Sequence, residues 1–200
     1  MSSANYSPSD ESKPLTRSHL DARLAGLGEF LPRFNGTPED WPLFYRQFRS
    51  TTATCGYTNA ENVLRLRKHL QGKAYDAVRY LLIYPSTLEL AIERLEMRFG
   101  TPKLICFSLL DKLDKLSAPN GDDWSTVKVF GFAVEGICRT IVEMGHAEYL
   151  NDFITLQGLE KKLPVHFQQE WFQHKQTLRH ATLAEFGEWV GKTARVLTMV

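Results

Sequence analysis

In this 200-residue chain, histidines are the first residue type to consider as metal ligands. His166, His174 and His180 lie close enough together in the sequence to suggest a metal site. Their steps of eight and six residues do not place them on one helical face, unlike the i, i+4 histidines of zinc proteases. We therefore interpret them as surface histidines and expect no metal.

Nucleophilic and acidic motifs are the second kind of chemistry to consider. Cys55, Cys106 and Cys138 are far apart and form no CxxC pair, so we predict reduced, buried thiols in an intracellular chain. The sequence contains no GxSxG elbow and no glycine-rich phosphate loop. The cluster Gly121-Asp122-Asp123 has the wrong order for the Asp-Thr/Ser-Gly loop of an aspartic protease. We expect neither an enzyme, nor a cofactor, nor a small-molecule substrate.

The overall composition is that of an ordinary globular chain, with 43% apolar and 24% charged residues. A formal net charge of +1 argues against a domain whose main role is to neutralise nucleic-acid phosphates. No apolar run approaches the roughly 20 residues of a membrane span, and the N-terminus lacks the pattern of a secretory signal. A cytoplasmic protein is expected.

One basic run, RLRKHLQGK at residues 65–73, could face RNA through Arg65, Lys68 and Lys73. The alternative is a solvated helix face beside the apolar stripe of Val63 and Leu66. We favour this alternative, because no aromatic residues that could stack on bases are interleaved with these charges.

The second half of the chain carries many bulky aromatic residues: Phe167, Trp171, Phe172, Phe186 and Trp189. Most of them are expected in the core. Phe172 and Trp189 lie off the main apolar stripes of their helices, so at least one of them is predicted to be exposed. An exposed aromatic residue on a small helical lobe is typical of a protein–protein contact, and both are candidates for an assembly interface.

The elements that must position these residues are predicted to be helices, because apolar residues recur at steps of three and four from Trp41 onward. Three capping boxes are predicted at residues 58–61, 86–89 and 182–185. Residues 30–35 allow a short strand, but no sheet is expected. The predicted helices cover residues 41–56, 58–70, 74–82, 86–99, 103–116, 124–144, 147–163, 165–178 and 182–197.

The fold class predicted from these patterns is all-α, with two small helical lobes. The segment SAPNGDD at residues 117–123 is the strongest internal break. We therefore predict a flexible tail over residues 1–27, an N-terminal lobe over 28–117 and a C-terminal lobe over 118–200. Within the tail, residues 19–27 could form a short helix with a thin apolar face.

An ordered series of motifs links residues 31–102 to a known family. It begins with Leu-Pro-x-Phe-x-Gly-(x)₄-Trp-Pro-x-Phe-(x)₃-Phe and continues with Leu-x-Gly-x-Ala and Leu-x-x-Arg-Phe-Gly-x-Pro. This series resembles the start of the capsid region of retrotransposon Gag polyproteins, most closely the BEL/Pao type of LTR retrotransposon. The N-lobe motif and core residues that it implies are Leu31, Pro32, Phe34, Gly36, Trp41, Phe44, Phe48, Leu70, Gly72, Leu95, Phe99 and Gly100.

The second lobe is less distinctive. The helix from Trp124, the segment from Leu156 to Pro164 and the final helix from Thr182 are similar to the C-terminal capsid lobe of Gag proteins and of Gag-derived proteins that animals have domesticated. The Gln-(x)₃-Glu-(x)₇-Arg pattern of retroviral capsids does not appear intact, so no residue roles are transferred from it.

The resemblance implies retroviral-capsid-like N-terminal and C-terminal domains and a structural protein that self-assembles. The expected partners are other copies of the chain, in rings of five and six and in a C-lobe dimer. The shell would package retrotransposon RNA, with weak or indirect RNA contact, in intracellular virus-like particles in the cytoplasm. Two alternatives remain: a domesticated module that binds peptides or proteins without forming shells, and an RNA-binding adaptor that uses residues 65–73. By analogy, the extended segment 29–35 would contact a neighbouring subunit or a peptide.

Overall fold

A computed structural model describes residues 14–199 of the chain, and the fold in this range is all-α. The only β-type pairing among the described residues is an isolated parallel bridge between Phe34 and Leu70. The chain divides into two compact units, Met1–Thr101 and Pro102–Val200.

The first unit contains five α-helices among its described residues. One turn of π-helix, Glu96–Gly100, extends the fifth of them. Three short 3₁₀ turns, Leu27–Glu29, Pro38–Asp40 and Pro85–Thr87, precede α2 and α5. The helices are α1 (Arg17–Leu24), α2 (Trp41–Cys55), α3 (Asn59–His69), α4 (Gly72–Val78) and α5 (Leu88–Leu95).

The described residues of the second unit, 102–199, form five more α-helices. A 3₁₀ turn, Ala147–Asn151, lies between the second and third of these. The helices are α6 (Pro102–Asp114), α7 (Trp124–Glu143), α8 (Phe153–Lys162), α9 (Val165–Lys175) and α10 (Leu183–Val196).

Two of the three predicted capping boxes are confirmed. Thr58 accepts a hydrogen bond from the Glu61 N–H while the Glu61 carboxylate accepts one from the Thr58 N–H, and Thr182 and Glu185 form the equivalent pair at α10. The box predicted at residues 86–89 is wrong, because Ser86 lies inside the 3₁₀ turn and α5 begins at Leu88.

The single helix predicted over residues 147–163 is divided in the structure. The Asp152 carboxylate accepts a hydrogen bond from the Ile154 N–H at 3.0 Å and caps α8. A capping residue adopts extended backbone geometry, so a continuous helix cannot pass through it. The residues before Asp152 form the 3₁₀ turn instead.

The division between the units differs from the predicted boundary at residues 117 and 118. Helix α6 packs on α7 and α8 and buries Ile105, Leu109 and Leu113, so it belongs to the second unit. The break at residues 117–123 exists as a loop, but it lies within that unit. A loop rich in Pro, Gly and Asp marks a turn in the chain, which need not separate two cores.

The structure also differs from the flexible tail predicted over residues 1–27. Residues 1–13 lie outside the described part of the chain, whereas α1 occupies Arg17–Leu24. Its apolar face is thin, as predicted, and only Ala22 is buried. Arg23 ties the helix to the rest of the unit: it donates to the Cys55 carbonyl at 2.7 Å and pairs with Glu61 at 2.8 Å.

Candidate functional site

The extended segment before α2 is held by its own unit. The Phe34 N–H donates to the His69 carbonyl at 2.9 Å, and the Gln71 N–H donates to the Phe34 carbonyl at 2.8 Å. Leu31 and Phe34 are buried on either side of the half-buried Pro32. The backbone of Phe34 is therefore already paired with the α3–α4 connection.

The aromatic residues of the motif series pack around Phe34. Its ring centroid lies 5.5 Å from that of Trp41, 5.1 Å from that of Phe44 and 5.6 Å from that of Phe99. Such pairs contribute about 0.5–1.5 kcal/mol each beyond the burial of their area. The motif residues that form this core are all buried: Leu31, Phe34, Trp41, Phe44, Phe48, Leu70, Leu95 and Phe99.

At two motif positions only glycine fits, for a different structural reason at each. Gly36 has a φ of +99°, and a Cβ atom there would lie 2.9 Å from the Phe99 ring. Gly100 has ordinary backbone angles, but its Cβ would lie 2.2 Å from the indole nitrogen of Trp41. The third glycine of the series, Gly72, has a φ of +48° at the start of α4. The motif series thus describes the core of the first unit rather than an exposed site.

Arg65 is not part of an exposed basic patch. Its guanidinium group donates to the side chains of Thr51, Thr52 and Asn62, the last two at 3.0 and 2.8 Å. It also lies 4.4 Å from the centroid of the Tyr57 ring. The prediction that Arg65 faces RNA does not agree with this placement, because its guanidinium group forms hydrogen bonds within the unit.

Lys68 and Lys73 are exposed, whereas Arg65 is half-buried. His69, between them in the sequence, has a buried Nδ1 atom with no hydrogen-bond partner among the described residues. Burial lowers the pKa of His69, and the neighbouring charges of Lys68 and Arg65 lower it further. The basic run 65–73 is thus divided between structural and solvated side chains.

Phe172 and Trp189 line two different grooves of the second unit. Phe172 is on α9, is 63% exposed and lines a groove shared with residues of α8. Trp189 is half-buried, and its ring packs 5.3 Å from Trp171 and 6.2 Å from Phe186. The two predicted interface residues therefore line separate grooves of the second unit.

The groove beside Trp189 is a concave surface of the second unit with a volume of about 450 Å³. Trp124 and Val196 form exposed apolar walls, 47% and 61% accessible. Glu170 and Lys192 add opposite charges at its edge. Exposed apolar walls with a mixed-charge edge are typical of a protein-binding surface.

A groove of the first unit was missed by the sequence patterns. It has a volume of about 570 Å³ and is lined by Leu27, Phe30 and Leu43, which are 43%, 64% and 54% exposed. Leu43 lies off the buried stripe of α2, and this offset is the one sequence signal that could have identified the groove. Its other walls are polar side chains of α2, including Arg46 and Gln47.

The histidines and cysteines do not form a chemical site. His166 packs 3.9 Å from the Phe167 ring and His174 lies 5.7 Å from Trp171, so each contacts an aromatic neighbour. No group of three potential metal ligands occurs within residues 14–199. All three cysteines are buried, and burial raises the pKa of Cys138 to about 12.

No helix in the described part of the chain is long and apolar enough to cross a membrane. Residues 34–180 match a family model described as "Protein of unknown function (DUF1759)". Searches among curated proteins and among solved structures found no match.

Proposed function

We propose a function from one premise: the chain belongs to the DUF1759 family, a domain family found in retrotransposon Gag- and Pol-like proteins. Its function would be that of a structural capsid protein, the Gag capsid region of a BEL/Pao-type element, which self-assembles into a virus-like shell around retrotransposon RNA. The observation that carries this proposal is the family match over residues 34–180, which spans most of both helical units.

The surface chemistry of the two units supports self-association. Each unit has a groove with exposed apolar walls, one at Leu27, Phe30 and Leu43 and one at Trp124 and Val196. Exposed apolar patches of this kind mark contact sites in soluble proteins. We assign the groove of the first unit to contacts within rings of five and six, and the groove beside Trp189 to contacts between rings.

The charge balance is also suited to a shell. A net charge of +1 produces little long-range repulsion when many copies crowd together. Each contact can then be weak, because linked contacts add through effective concentration rather than through the affinity of one interface. Assembly would therefore depend on protein concentration.

A second candidate function is a domesticated interaction module that binds peptides or proteins without forming shells. The groove beside Trp189 favours it, because a concave site of about 450 Å³ could accept an apolar side chain of a peptide against an indole ring. The two functions differ in the size of the particles that the purified chain forms.

Negative-stain electron microscopy of the purified chain across a salt series, with light scattering of the same samples, tests the proposal. Closed particles of uniform size are expected, and RNA recovered from particles purified out of cells would support packaging. Monomers and dimers under every condition would contradict shell formation by this chain and favour the interaction module.

A further inference from the structure

A second groove of the second unit lies between α8 and α9 and has a volume of about 270 Å³. Its walls differ from those of the groove beside Trp189, because they combine one exposed aromatic ring with amide and ammonium groups. Phe172 and Gln168 line it from α9, while Gln157 and Lys161 line it from α8.

Phe172 offers an accessible aromatic face. It is 63% exposed, four residues after Gln168 and three before Lys175 on the same side of α9. Its neighbours in the groove are largely polar, so an apolar protein surface placed there would have to cover amide and ammonium groups that need hydrogen bonds. A nucleobase meets both requirements, since it has an aromatic face and polar edges.

The charge of the groove is positive because its carboxylate is already neutralised. The Glu160 carboxylate oxygen Oε1 accepts hydrogen bonds from Trp171 Nε1 and from Lys175 Nζ, both at 2.7 Å. Lys161, one residue further along α8, is exposed at the rim of the groove. An exposed ammonium group beside a stacking ring is the arrangement that binds a phosphate next to a stacked base.

The local sequence has the same charge bias. Residues 157–180 contain four basic residues and two glutamates, although the whole chain has a net charge of only +1. The same stretch contains five glutamines. The amide of Gln168 is held at the start of α9, where its Nε2 donates to the Leu163 carbonyl at 2.7 Å. This bond leaves the Oε1 oxygen of Gln168 as an acceptor for the donor groups on the edge of an unpaired base.

We propose that the α8–α9 groove binds single-stranded RNA, with a base stacked on Phe172 and a neighbouring phosphate on Lys161. The inference rests on the proposed function for the identity of the nucleic acid, because RNA is the molecule that the shell would enclose. It moves the RNA contact from the predicted 65–73 run, where Arg65 faces inward, to the second unit.

Fluorescence anisotropy of a labelled oligouridylate tests this site, using the 200-residue chain diluted until light scattering shows no particles. Phe172→Ala is expected to weaken binding about ten-fold, as loss of one stacking ring does. Lys161→Gln is expected to lower the slope of log affinity against log salt by about 0.7, the value for one phosphate contact on a single strand.

Phe153→Ala is the matched control. Phe153 is 63% exposed, as Phe172 is, but it begins α8 next to the capping Asp152. Binding by this variant is expected to equal that of the parent. Circular dichroism of each variant checks that the exposed substitutions leave the fold intact.

RNA affinity tests the α8–α9 site, whereas particle formation tests the proposed capsid function, so the failure of one can be distinguished from the failure of the other. Equal affinities of the Phe172→Ala, Phe153→Ala and parent chains, or a parent that does not bind the oligouridylate, would overturn the site even if closed particles form. If Phe172→Ala prevents particle formation and leaves RNA affinity unchanged, the face is a protein contact and the RNA site is again overturned. Loss of RNA affinity with particles retained supports it.

Discussion

At the residue scale, Arg65 and Lys68 lie three positions apart on α3 and meet different surroundings. Arg65 donates to Thr51, Thr52 and Asn62, whereas Lys68 is exposed. Arg65→Ala should lower the free energy of unfolding by about 2 kcal/mol, because it leaves partly buried acceptors without a donor. Lys68→Ala should change it by less than about 0.5 kcal/mol. Urea titration followed by circular dichroism measures both, and equal midpoints would show that the Arg65 contacts contribute nothing.

His69 is the residue whose titration should make the first unit sensitive to acid. Burial and the charges of Lys68, Arg65 and Arg33 lower its pKa below the ordinary value of 6.5, against an opposing hydrogen bond with the Leu31 backbone. The unfolded chain then binds a proton more readily than the folded chain, so the stability contributed by neutral His69 is complete above pH 6.5 and falls as the pH decreases.

Thermal unfolding of the parent chain and of His69→Gln between pH 7.5 and pH 5 checks this direction (a span of about one pH unit or more on each side of the ordinary histidine pKa). The parent is expected to lose more stability than the variant as the pH falls. Comparison of the two removes the contributions of the other five histidines. Parallel pH profiles would show that His69 is not the titrating group.

At the element scale, α7 and α10 pack closely because small residues lie between them. A Cβ atom on Gly131 would lie 2.8 Å from the Val190 carbonyl oxygen and 2.9 Å from the Ala194 Cβ, whereas a Cβ atom on Gly136 meets nothing within 4 Å. Both glycines are on α7. Their surroundings therefore predict opposite effects for the same substitution.

Gly131→Ala should destabilise the second unit by about 1–3 kcal/mol, since the two helices must move apart. Gly136→Ala should stabilise it by about 0.5–1 kcal/mol, because alanine is the better helix former. The denaturant midpoints of the two variants, compared with that of the parent chain, measure these changes in stability. A stabilising Gly131→Ala would mean that α10 is less tightly packed than this geometry requires.

At the scale of the whole molecule, the groove beside Trp189 should contribute to self-association. Trp189 itself packs on Trp171 and Phe186, so its truncation would disturb the core as well as the surface. Val196 is the better site for a test, because it lines the groove and is 61% exposed. Val196→Asp would place a carboxylate against the apolar surface of a second copy.

We expect Val196→Asp to lower the yield of particles or to weaken association at least about ten-fold, in line with the cost of burying an unpaired charge. Val129→Asp is its control, since Val129 is 71% exposed on α7 of the same unit. Sedimentation velocity over a concentration series measures both. Equal association of the two variants would exclude the groove beside Trp189 as an assembly contact.

The helical fold class, two capping boxes and the glycines that follow α2 and α7, Gly56 and Gly145, could all be predicted from the sequence. These features depend on residues a few positions apart, so local spacing contains the information. The motif series 31–102 likewise identified the core of the first unit, because it specifies the aromatic residues that pack around Phe34.

The availability of individual side chains at the surface depends on how the helices pack, and local sequence spacing does not contain that information. The sequence pattern indicates that Arg65 is a solvated cation. Its acceptors Thr51 and Thr52, however, lie on a neighbouring helix, more than ten residues away in the sequence. The placement of α6 in the second unit and the separation of Phe172 from Trp189 also depend on packing between distant elements. Helical periodicity indicates which face of a helix is apolar, whereas the neighbouring helices determine which part of that face is covered.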